Sequence, residues 1–264
     1  MFRSASAGLH VHAPPLWASP LHPGRAPLIV ALPARPLGKG PMRPRSHSCA
    51  GGSDSDSVSA AAEDSALGEL ALVSGRTTGA AHRAWASVLR AGDFAIDATV
   101  GNGNDALALA RLVGPGGRVL AMDRQPAALS ATRALLEASL PGGAAAASSW
   151  WDLQEGCHAA LLPRVPPGTA NLVCFNLGYL PGGDKAVTTR ASTTLPALAS
   201  AAQALSPGGL LSVMLYVGHP EGQEESKAVL GWAEGLAPGG WTAVLQKLVN
   251  RPTAPLLLMM TKRR

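Results

Sequence analysis

From residue 94 to residue 261, short apolar runs bounded by Gly, Pro or Asp alternate with stretches of helical periodicity. Strands that alternate with helices predict an α/β fold, a doubly wound and mostly parallel sheet covered by helices. Only residues 250–255 separate the last two runs, too few for a crossover helix, so these strands should form an antiparallel hairpin. The seven predicted strands are 94–99, 118–123, 148–153, 171–177, 210–217, 242–249 and 256–261. The predicted helices are 105–112, 127–140, 189–205 and 221–235, after an amphipathic stretch at 77–90.

The first 62 residues have a different character. They are rich in Ser, Pro, Ala and Arg, hold no acidic residue before Asp54 and show no hydrophobic periodicity. This composition predicts a disordered transit peptide and linker at 1–62, ahead of a single catalytic domain at 63–264. The high proline content favours the chloroplast over the mitochondrion. A low-complexity tail without targeting value is the alternative.

The basic charge of the chain is concentrated in that leading segment. The 264 residues hold 22 Lys and Arg against 17 Asp and Glu, a net charge of +5. Six of the cations and no acidic residue lie in residues 1–50, so the rest of the chain has 16 basic and 17 acidic side chains. A near-neutral domain does not attract a nucleic-acid backbone over its whole surface, so any RNA contact must be local. The candidate patch, or else a solvated face, is Lys247, Arg251, Lys262, Arg263 and Arg264.

Metal and membrane sites are not expected. Cys49, Cys157 and Cys174 are far apart and form no Cys-x-x-Cys pair, which argues against a zinc site and against a disulfide framework. The longest apolar run, at 255–260 with its flanks, is far shorter than the roughly 20 residues that cross a bilayer. We therefore expect no metal and no membrane span.

A glycine-rich turn follows the first predicted strand. Gly101 and Gly103 stand where that strand should give way to a helix, and glycines there allow a ligand to approach the backbone and the helix N-terminus. Together with Ala106 they also satisfy the dinucleotide-binding pattern. A nicotinamide-dependent oxidoreductase or a non-catalytic nucleotide binder therefore remains an alternative.

Two acidic residues favour S-adenosylmethionine (SAM) over a dinucleotide. Asp97, four residues before Gly101, would repel a pyrophosphate but could bind the amino-acid end of SAM, directly or through water. Asp123, at the end of the second strand, could accept hydrogen bonds from both ribose hydroxyls, and Gln125 could reach the sugar or the adenine. The alternative for Asp123 is an N-cap of the following helix.

A polar loop follows the strand at 171–177. It lies across the expected topological switch point, where open α/β sheets bind ligands. It resembles in position the Asn-Pro-Pro-Tyr loop of amino-group methyltransferases, so Asn176 and the carbonyl of Leu177 could accept hydrogen bonds from an amine. Tyr179, Asp184 and His219 are candidates for removing its proton. A Gly/Pro-rich structural turn is the alternative, and His219 could equally be a loop or helix-cap residue.

Four sequence blocks resemble one specific family, the small methyltransferases labelled "putative rRNA methylases". They are Asp-Ala-Thr-Val-Gly-Asn-Gly from residue 97, Phe-Asn-Leu-Gly-Tyr-Leu-Pro-Gly-Gly-Asp-Lys at 175–185, the threonine pairs at 188–189 and 193–194, and Tyr-Val-Gly-His-Pro-Glu-Gly-Gln-Glu-Glu at 216–225. The resemblance runs from about residue 82 to 262. It implies a class I, Rossmann-like SAM methyltransferase that methylates the amine of 5-aminomethyl-(2-thio)uridine at the tRNA wobble position. Methylation of rRNA, of a protein or of a small amine is the second hypothesis.

The resemblance and the motifs together give the expected site. The catalytic residues would be Asn176, Tyr179, Asp184 and His219. The cofactor would contact Asp97, Thr99, Gly101, Asn102, Gly103, Asn104, Asp105, Asp123, Gln125, Cys157 and His158. The substrate would contact Leu177, Gly178, Lys185, Thr188, Thr189 and Tyr216. The expected partner is a tRNA anticodon stem-loop, and the chain is also a candidate homodimer.

This chain departs from the family pattern at two places in the cofactor site. It has Asn104-Asp105-Ala106 where the family usually has His-Asp-Thr, and Cys157-His158 where the family has Ser-His. Asn can still donate and accept hydrogen bonds, so cofactor binding should survive. The missing hydroxyl at Ala106 puts one contact in doubt.

Overall fold

The structure is a computed structural model that describes residues 77–141, 150–184 and 186–264. The predicted transit peptide, the start of the predicted domain and Lys185 therefore lie outside the described residues. The helices are α1 (Thr77–Val88), α2 (Asn104–Val113), α3 (Pro126–Ser139), α4 (His158–Leu161), α5 (Ala191–Ala204) and α6 (Pro220–Glu234), with a 3₁₀ turn at Leu162–Arg164. The strands are β1 (Phe94–Asp97), β2 (Arg118–Asp123), β3 (Trp151–Glu155), β4 (Ala170–Asn176), β5 (Leu205–Leu215), β6 (Trp241–Gln246) and β7 (Leu256–Lys262).

The strands form one seven-stranded sheet in the order β3-β2-β1-β4-β5-β7-β6. Strands β1 to β5 are parallel, and β7 runs antiparallel to both β5 and β6. The predicted fold class and the predicted terminal hairpin are therefore confirmed. The chain reverses its winding direction at β1, which pairs with β2 on one side and β4 on the other. The carboxyl ends of those strands form the switch point at which such sheets bind ligands.

Apolar residues of the parallel strands are buried on both faces of the sheet. Ala95 of β1 belongs to a core with Leu109 of α2, whereas its neighbour Ile96 belongs to a second core with Leu198 of α5. This alternation follows from the two-residue period of a strand. The strands that carry the site are thus held between two helical layers.

Gly103 sets the start of α2. Its φ of 81° lies in the left-handed region, and a Cβ there would lie 2.8 Å from the Thr132 hydroxyl of α3. A side chain at this position would force the two helices apart. Glycine therefore allows α2 to begin directly beneath the turn at Gly101.

Several features differ from the sequence-based expectation. Strand β1 ends at Asp97 instead of residue 99, β3 is Trp151–Glu155 instead of 148–153, and β6 ends at Gln246 instead of residue 249. Strand β5 begins at Leu205 instead of residue 210, with a register irregularity where β4 pairs with it between Ala170 and Leu172. Helix α5 begins two residues late because Thr188 bridges to Tyr179 and Thr189 bonds to the Gly178 carbonyl. The short helix α4 was not predicted, because four residues carry no readable helical period. Within the described residues, no helix is long and apolar enough to cross a membrane.

Candidate active site

A cavity of about 1140 Å³ opens at the carboxyl ends of the parallel strands. That volume is sufficient for a cofactor together with part of a substrate. Most of the predicted site residues line it: Thr99, Gly101, Asn102, Asn104, Asp105, Asp123, Gln125, His158, Asn176, Leu177, Gly178, Tyr179, Thr188, Thr189, Tyr216 and His219. Four do not line it, namely Asp97, Gly103, Cys157 and Asp184.

Asp123 stands at the end of β2 and is already partly engaged. Its Oδ2 accepts a hydrogen bond from the Gly101 N–H at 3.0 Å, and its Oδ1 accepts one from the Gln125 N–H at 3.0 Å. Each oxygen keeps a lone pair for a further donor, because a carboxylate can accept about four hydrogen bonds. The N-cap of α3 is Gln125 and not Asp123. The carboxylate is thus fixed in the cavity wall, where it can accept hydrogen bonds from the hydroxyl groups of a ligand.

His158 begins the short helix α4, which follows β3, the strand that pairs with β2. Burial, above all, lowers the pKa of this histidine, although a hydrogen bond to the Ala98 backbone opposes that shift. The ring packs edge-on against Phe175, with the ring centroids 5.7 Å apart. Among the described residues, Nε2 of His158 has no hydrogen-bond partner. A neutral imidazole nitrogen without a partner suits a donor such as the amino group of an adenine.

Asp97 lies beneath the cavity wall. Its side chain is fully buried, and Oδ1 accepts a hydrogen bond from the Thr99 N–H at 3.1 Å. Burial raises the pKa of this carboxyl well above its usual range, and the nearby charge of Asp105 adds to the rise. The structure does not bring Asp97 to the cavity surface. Its visible role is to hold the turn that presents Thr99.

Asn176 ends β4 and is fixed on two sides. Its backbone N–H donates to the Thr99 hydroxyl at 2.6 Å, and its side-chain Nδ2 donates to Oδ2 of Asp105 at 3.1 Å. Because an ionised carboxylate can only accept, this bond turns Nδ2 toward Asp105 and Oδ1 away from it. The amide oxygen is thus presented as an acceptor. Oδ1 of Asp105 lies 2.6 Å from Nε2 of His82 on α1, a residue that the sequence argument did not single out.

Tyr216 and Tyr179 form the aromatic part of the wall. Tyr216 is 37% exposed and Tyr179 is 40% exposed. Burial, chiefly, raises the pKa of Tyr216, while a hydrogen bond with the Asn176 side chain lowers it. Tyr216 is therefore a neutral hydroxyl near the end of β4, whereas Tyr179 stands beside His219 with ring centroids 6.2 Å apart.

His219 acts as the N-cap of α6. Its Nδ1 accepts a hydrogen bond from the Gly222 N–H at 3.1 Å, as the helix-cap alternative predicted. The remaining nitrogen, Nε2, is buried without a partner among the described residues. Asp184 is exposed, its carboxylate accepts from the Ala186 N–H at 2.8 Å, and it does not line the cavity. The geometry therefore favours Tyr179 and His219 over Asp184 as groups near a bound amine.

The loop after β4 is tied to α6 through Glu225, which the sequence argument also missed. Thr189 Oγ1 accepts from the Gly178 N–H at 2.8 Å and donates to Glu225 Oε2 at 2.7 Å. Thr194 donates to the other carboxylate oxygen at 2.6 Å. One threonine of each pair thus binds Glu225, the Thr193 hydroxyl donates to the Arg190 carbonyl, and no side chain caps α5. A buried carboxylate fixes the base of the loop.

One member of the basic group near the terminal hairpin, Lys262, is hydrogen-bonded inside the protein. Lys262 Nζ donates to the carbonyls of Ala202 and Leu205, at 3.0 and 2.7 Å. Lys247 and Arg251 remain exposed on the connection between β6 and β7. Thr253, on the same connection, lines the cavity. Lys247 and Arg251 thus lie on a connection that reaches the cavity, whereas Arg124 and Arg190 line the cavity itself.

Comparison with known proteins identifies relatives over most of the described chain. The sequence profile of the family described as "Putative rRNA methylase" matches residues 119–262. The chain is 41% identical over 194 residues to the Arabidopsis thaliana protein named "tRNA (mnm(5)s(2)U34)-methyltransferase, chloroplastic", covering 71% of this chain and 70% of that protein. Two solved structures have the same fold. One is an rRNA methylase, so described, from Clostridium thermocellum, with a TM-score of 0.66, 32% identity and coverage of 72% of this chain and 99% of that one. The other is a methyltransferase from Streptococcus mutans in complex with SAH, with a TM-score of 0.61, 34% identity and coverage of 72% and 99%.

Proposed function

Because the chain belongs to the "Putative rRNA methylase" family, we propose that it is a SAM-dependent N-methyltransferase acting on the tRNA wobble uridine. The reaction converts 5-aminomethyl-(2-thio)uridine to 5-methylaminomethyl-(2-thio)uridine. The observation that carries this proposal is the Asn176 amide, which lines the cavity and is held by Asp105 with its oxygen turned away from that carboxylate, as an acceptor for an amine. The name of the Arabidopsis relative gives the same modified base.

The residues at the switch point fit SAM. Asp123 offers acceptors for the ribose hydroxyls, and His158 offers a neutral nitrogen for the adenine amino group. The Streptococcus relative was crystallised with SAH, the demethylated form of the cofactor. The antiparallel β7 also separates this sheet from the dinucleotide-binding order, in which the sixth strand extends the parallel sheet. When bound, SAM supplies an electrophilic methyl group on a sulfonium.

The chain contributes position and acceptors to the transfer. Asn176 Oδ1 and the Leu177 carbonyl accept the two N–H bonds of a neutral amine, which leaves the nitrogen lone pair directed away from the loop. Tyr179 and Tyr216 cover the side of the cavity where the uracil ring would lie and limit the access of water to the amine. Holding the nucleophile in one orientation is the main source of rate in such an in-line displacement. The amine must be neutral to react. Tyr179 and His219 line the cavity, but Nδ1 of His219 accepts the Gly222 N–H and its Nε2 is buried, so the histidine is assigned to holding the start of α6 and not to proton uptake.

The substrate RNA is proposed to contact the cavity mouth. Lys247 and Arg251 lie on the β6–β7 connection, whose Thr253 reaches the cavity. Two exposed cations can pair with phosphates of an anticodon stem-loop without a strongly basic surface elsewhere. We also propose a homodimer through β6, an edge strand on which Val244 and Leu245 are exposed. Sedimentation at two protein concentrations tests that association, and Leu245→Lys should abolish it.

Residues 1–62 are proposed to direct the protein to the plastid. Their Arg- and Ser-rich composition without early acidic residues supports this, as does the word "chloroplastic" in the name of the Arabidopsis relative. A fusion of residues 1–62 to a fluorescent reporter should enter chloroplasts. A reporter that stays in the cytosol, or enters mitochondria instead, would contradict the assignment.

The activity can be tested with methyl-labelled SAM and tRNA that carries 5-aminomethyl-2-thiouridine at the wobble position. Nucleoside mass spectrometry should find one labelled methyl on that nucleoside. The same tRNA with an unmodified wobble uridine is the control and should take up no label. Label in rRNA or in protein, but not in this tRNA, would reassign the substrate while leaving the methyltransferase assignment intact.

A further inference from the structure

His82 stands on α1, away from the motifs that form the cavity, yet it contacts an acidic residue of the cavity wall. Its Nε2 lies 2.6 Å from Oδ1 of Asp105. The imidazole is held in place because it packs against Trp85, with ring centroids 4.8 Å apart, and Trp85 is buried. The side chains of His82 and Asp105 are 33% and 13% exposed, so water screens this contact only partly.

The two oxygens of Asp105 have different partners. Oδ1 faces His82, and Oδ2 accepts the amide hydrogen of Asn176. Since the carboxylate is acceptor-only, Nε2 of His82 must carry a hydrogen, and Asn176 must present Nδ2. A continuous chain therefore runs from α1 through α2 to the end of β4. The Asn176 backbone is fixed separately through Thr99, so the freedom that remains at Asn176 is rotation of its side chain.

We propose that His82 is a positioning residue for methyl transfer, because it holds Asp105 and thereby fixes the Asn176 amide with its oxygen toward the amine. This inference rests on the proposed function. Without the His82 bond, Asp105 is held on one side only and can rotate toward water. Asn176 then loses the partner that directs its amide, because its other side-chain contact, the Tyr216 hydroxyl, can donate or accept and so does not select one orientation. A flipped amide would set N–H donors against the N–H bonds of the substrate. The rate of transfer should fall, while cofactor affinity should not.

Two substitutions separate the hydrogen bond from the packing. His82→Phe keeps an aromatic ring against Trp85 and removes the donor to Asp105. His82→Gln removes the ring and keeps an amide donor at about the reach of Nε2. Ser87→Ala, on the exposed side of the same helix, is the control. The full chain is used throughout, and thermal melting confirms that each variant is folded.

We expect His82→Phe to lower the single-turnover rate at saturating tRNA by about tenfold, as for loss of an orienting contact, with the SAM dissociation constant unchanged. His82→Gln should restore most of that rate. On an Asn176→Ala background, His82→Phe should cause no further loss, since both changes act on one contact. The proposal would be overturned by a wild-type rate in His82→Phe. It would also be overturned if adding His82→Phe to Asn176→Ala lowered the rate by a further tenfold.

A second readout needs no turnover. The chain has five Asn residues, so ¹⁵N-asparagine labelling gives few side-chain amide signals in an NMR spectrum. The pair of N–H signals that disappears in Asn176→Ala belongs to Asn176. Its Nδ2 hydrogens should exchange faster with solvent in His82→Phe than in the wild type or in His82→Gln. Unchanged exchange in His82→Phe would refute the proposal even if the wild type proved inactive on this tRNA. Inactivity together with the expected exchange would instead refute only the proposed function.

Discussion

The Thr189 hydroxyl donates to the Glu225 carboxylate at 2.7 Å and accepts the Gly178 N–H at 2.8 Å. This pair joins the loop after β4 to helix α6. Glu225 is 5% exposed and also binds Thr194, so both of its oxygens are engaged inside the protein. The loop that presents Asn176 and Tyr179 thus depends on a buried carboxylate 36 residues beyond Thr189.

Glu225→Ala should destabilise the protein and loosen this loop. It leaves two threonine hydroxyls and the Gly178 N–H with weakened partners, at a cost of about 1–3 kcal/mol. Urea unfolding should show that loss, and the KM for tRNA should rise. Glu224→Ala, an exposed neighbour on the same helix, is the control and should change neither quantity. Equal behaviour of the two variants would show that Glu225 does not anchor the loop.

Asp97→Asn should make the free energy of unfolding less dependent on pH. The folded-state pKa of Asp97 is raised above its usual value of 3.8, mainly by burial, so the folded protein binds this proton more tightly than the unfolded chain. Wild-type stability therefore falls as pH rises from that value toward the raised pKa. Asparagine keeps the acceptor for the Thr99 N–H and has no charge to bury.

The variant should consequently be more stable than the wild type near neutral pH. Urea unfolding between pH 4.5 and 7.5 measures both slopes, with about 1.4 kcal/mol expected per unit of pKa difference. Asp152→Asn, which changes a half-exposed carboxylate on β3, is the control and should keep the wild-type slope. A slope in Asp97→Asn that equals the wild-type slope would show that Asp97 ionises normally.

Asp123→Ala should weaken SAM binding. The change removes a charged acceptor proposed for the ribose and also frees the Gly101 N–H, so the loss should be about 1.5–3 kcal/mol, or tenfold and more in affinity. Calorimetry on the folded variant measures this directly. Asp152→Ala removes a carboxylate from the neighbouring strand and should bind SAM normally. Wild-type affinity in Asp123→Ala would place the cofactor elsewhere.

The sequence predicted the fold because each strand of the sheet is an apolar run with clear stops. Strand β2 matches its prediction at both ends, and the short connection before β7 correctly indicated an antiparallel hairpin. Most site residues were also found, since Asp123 and Asn176 follow strands directly and so meet at one edge of the sheet. Local patterns suffice where the chain geometry itself brings residues together.

The contacts that the sequence did not predict are those made between distant elements. His82 meets Asp105 only because α1 packs beside α2, and Glu225 meets Thr189 only because α6 packs beside the loop. Neither pair has a local spacing that a period of 3.6 or 2 could reveal. Asp184 shows that closeness in sequence is not sufficient either. It follows Tyr179 closely in the chain, but its carboxylate accepts a hydrogen bond from the Ala186 N–H and it does not line the cavity.

Asn176 is proposed to orient the amine and not to contribute to capture of either ligand. Asn176→Ala should retain its fold and its SAM affinity, and it should bind tRNA normally. Its single-turnover rate on 5-aminomethyl-uridine tRNA, measured by nucleoside mass spectrometry at saturating tRNA, should fall by roughly 10²-fold or more. Gln203→Ala, which removes an exposed amide from α5, should keep the wild-type rate. A near-wild-type rate in folded Asn176→Ala would show that Asn176 does not orient the amine.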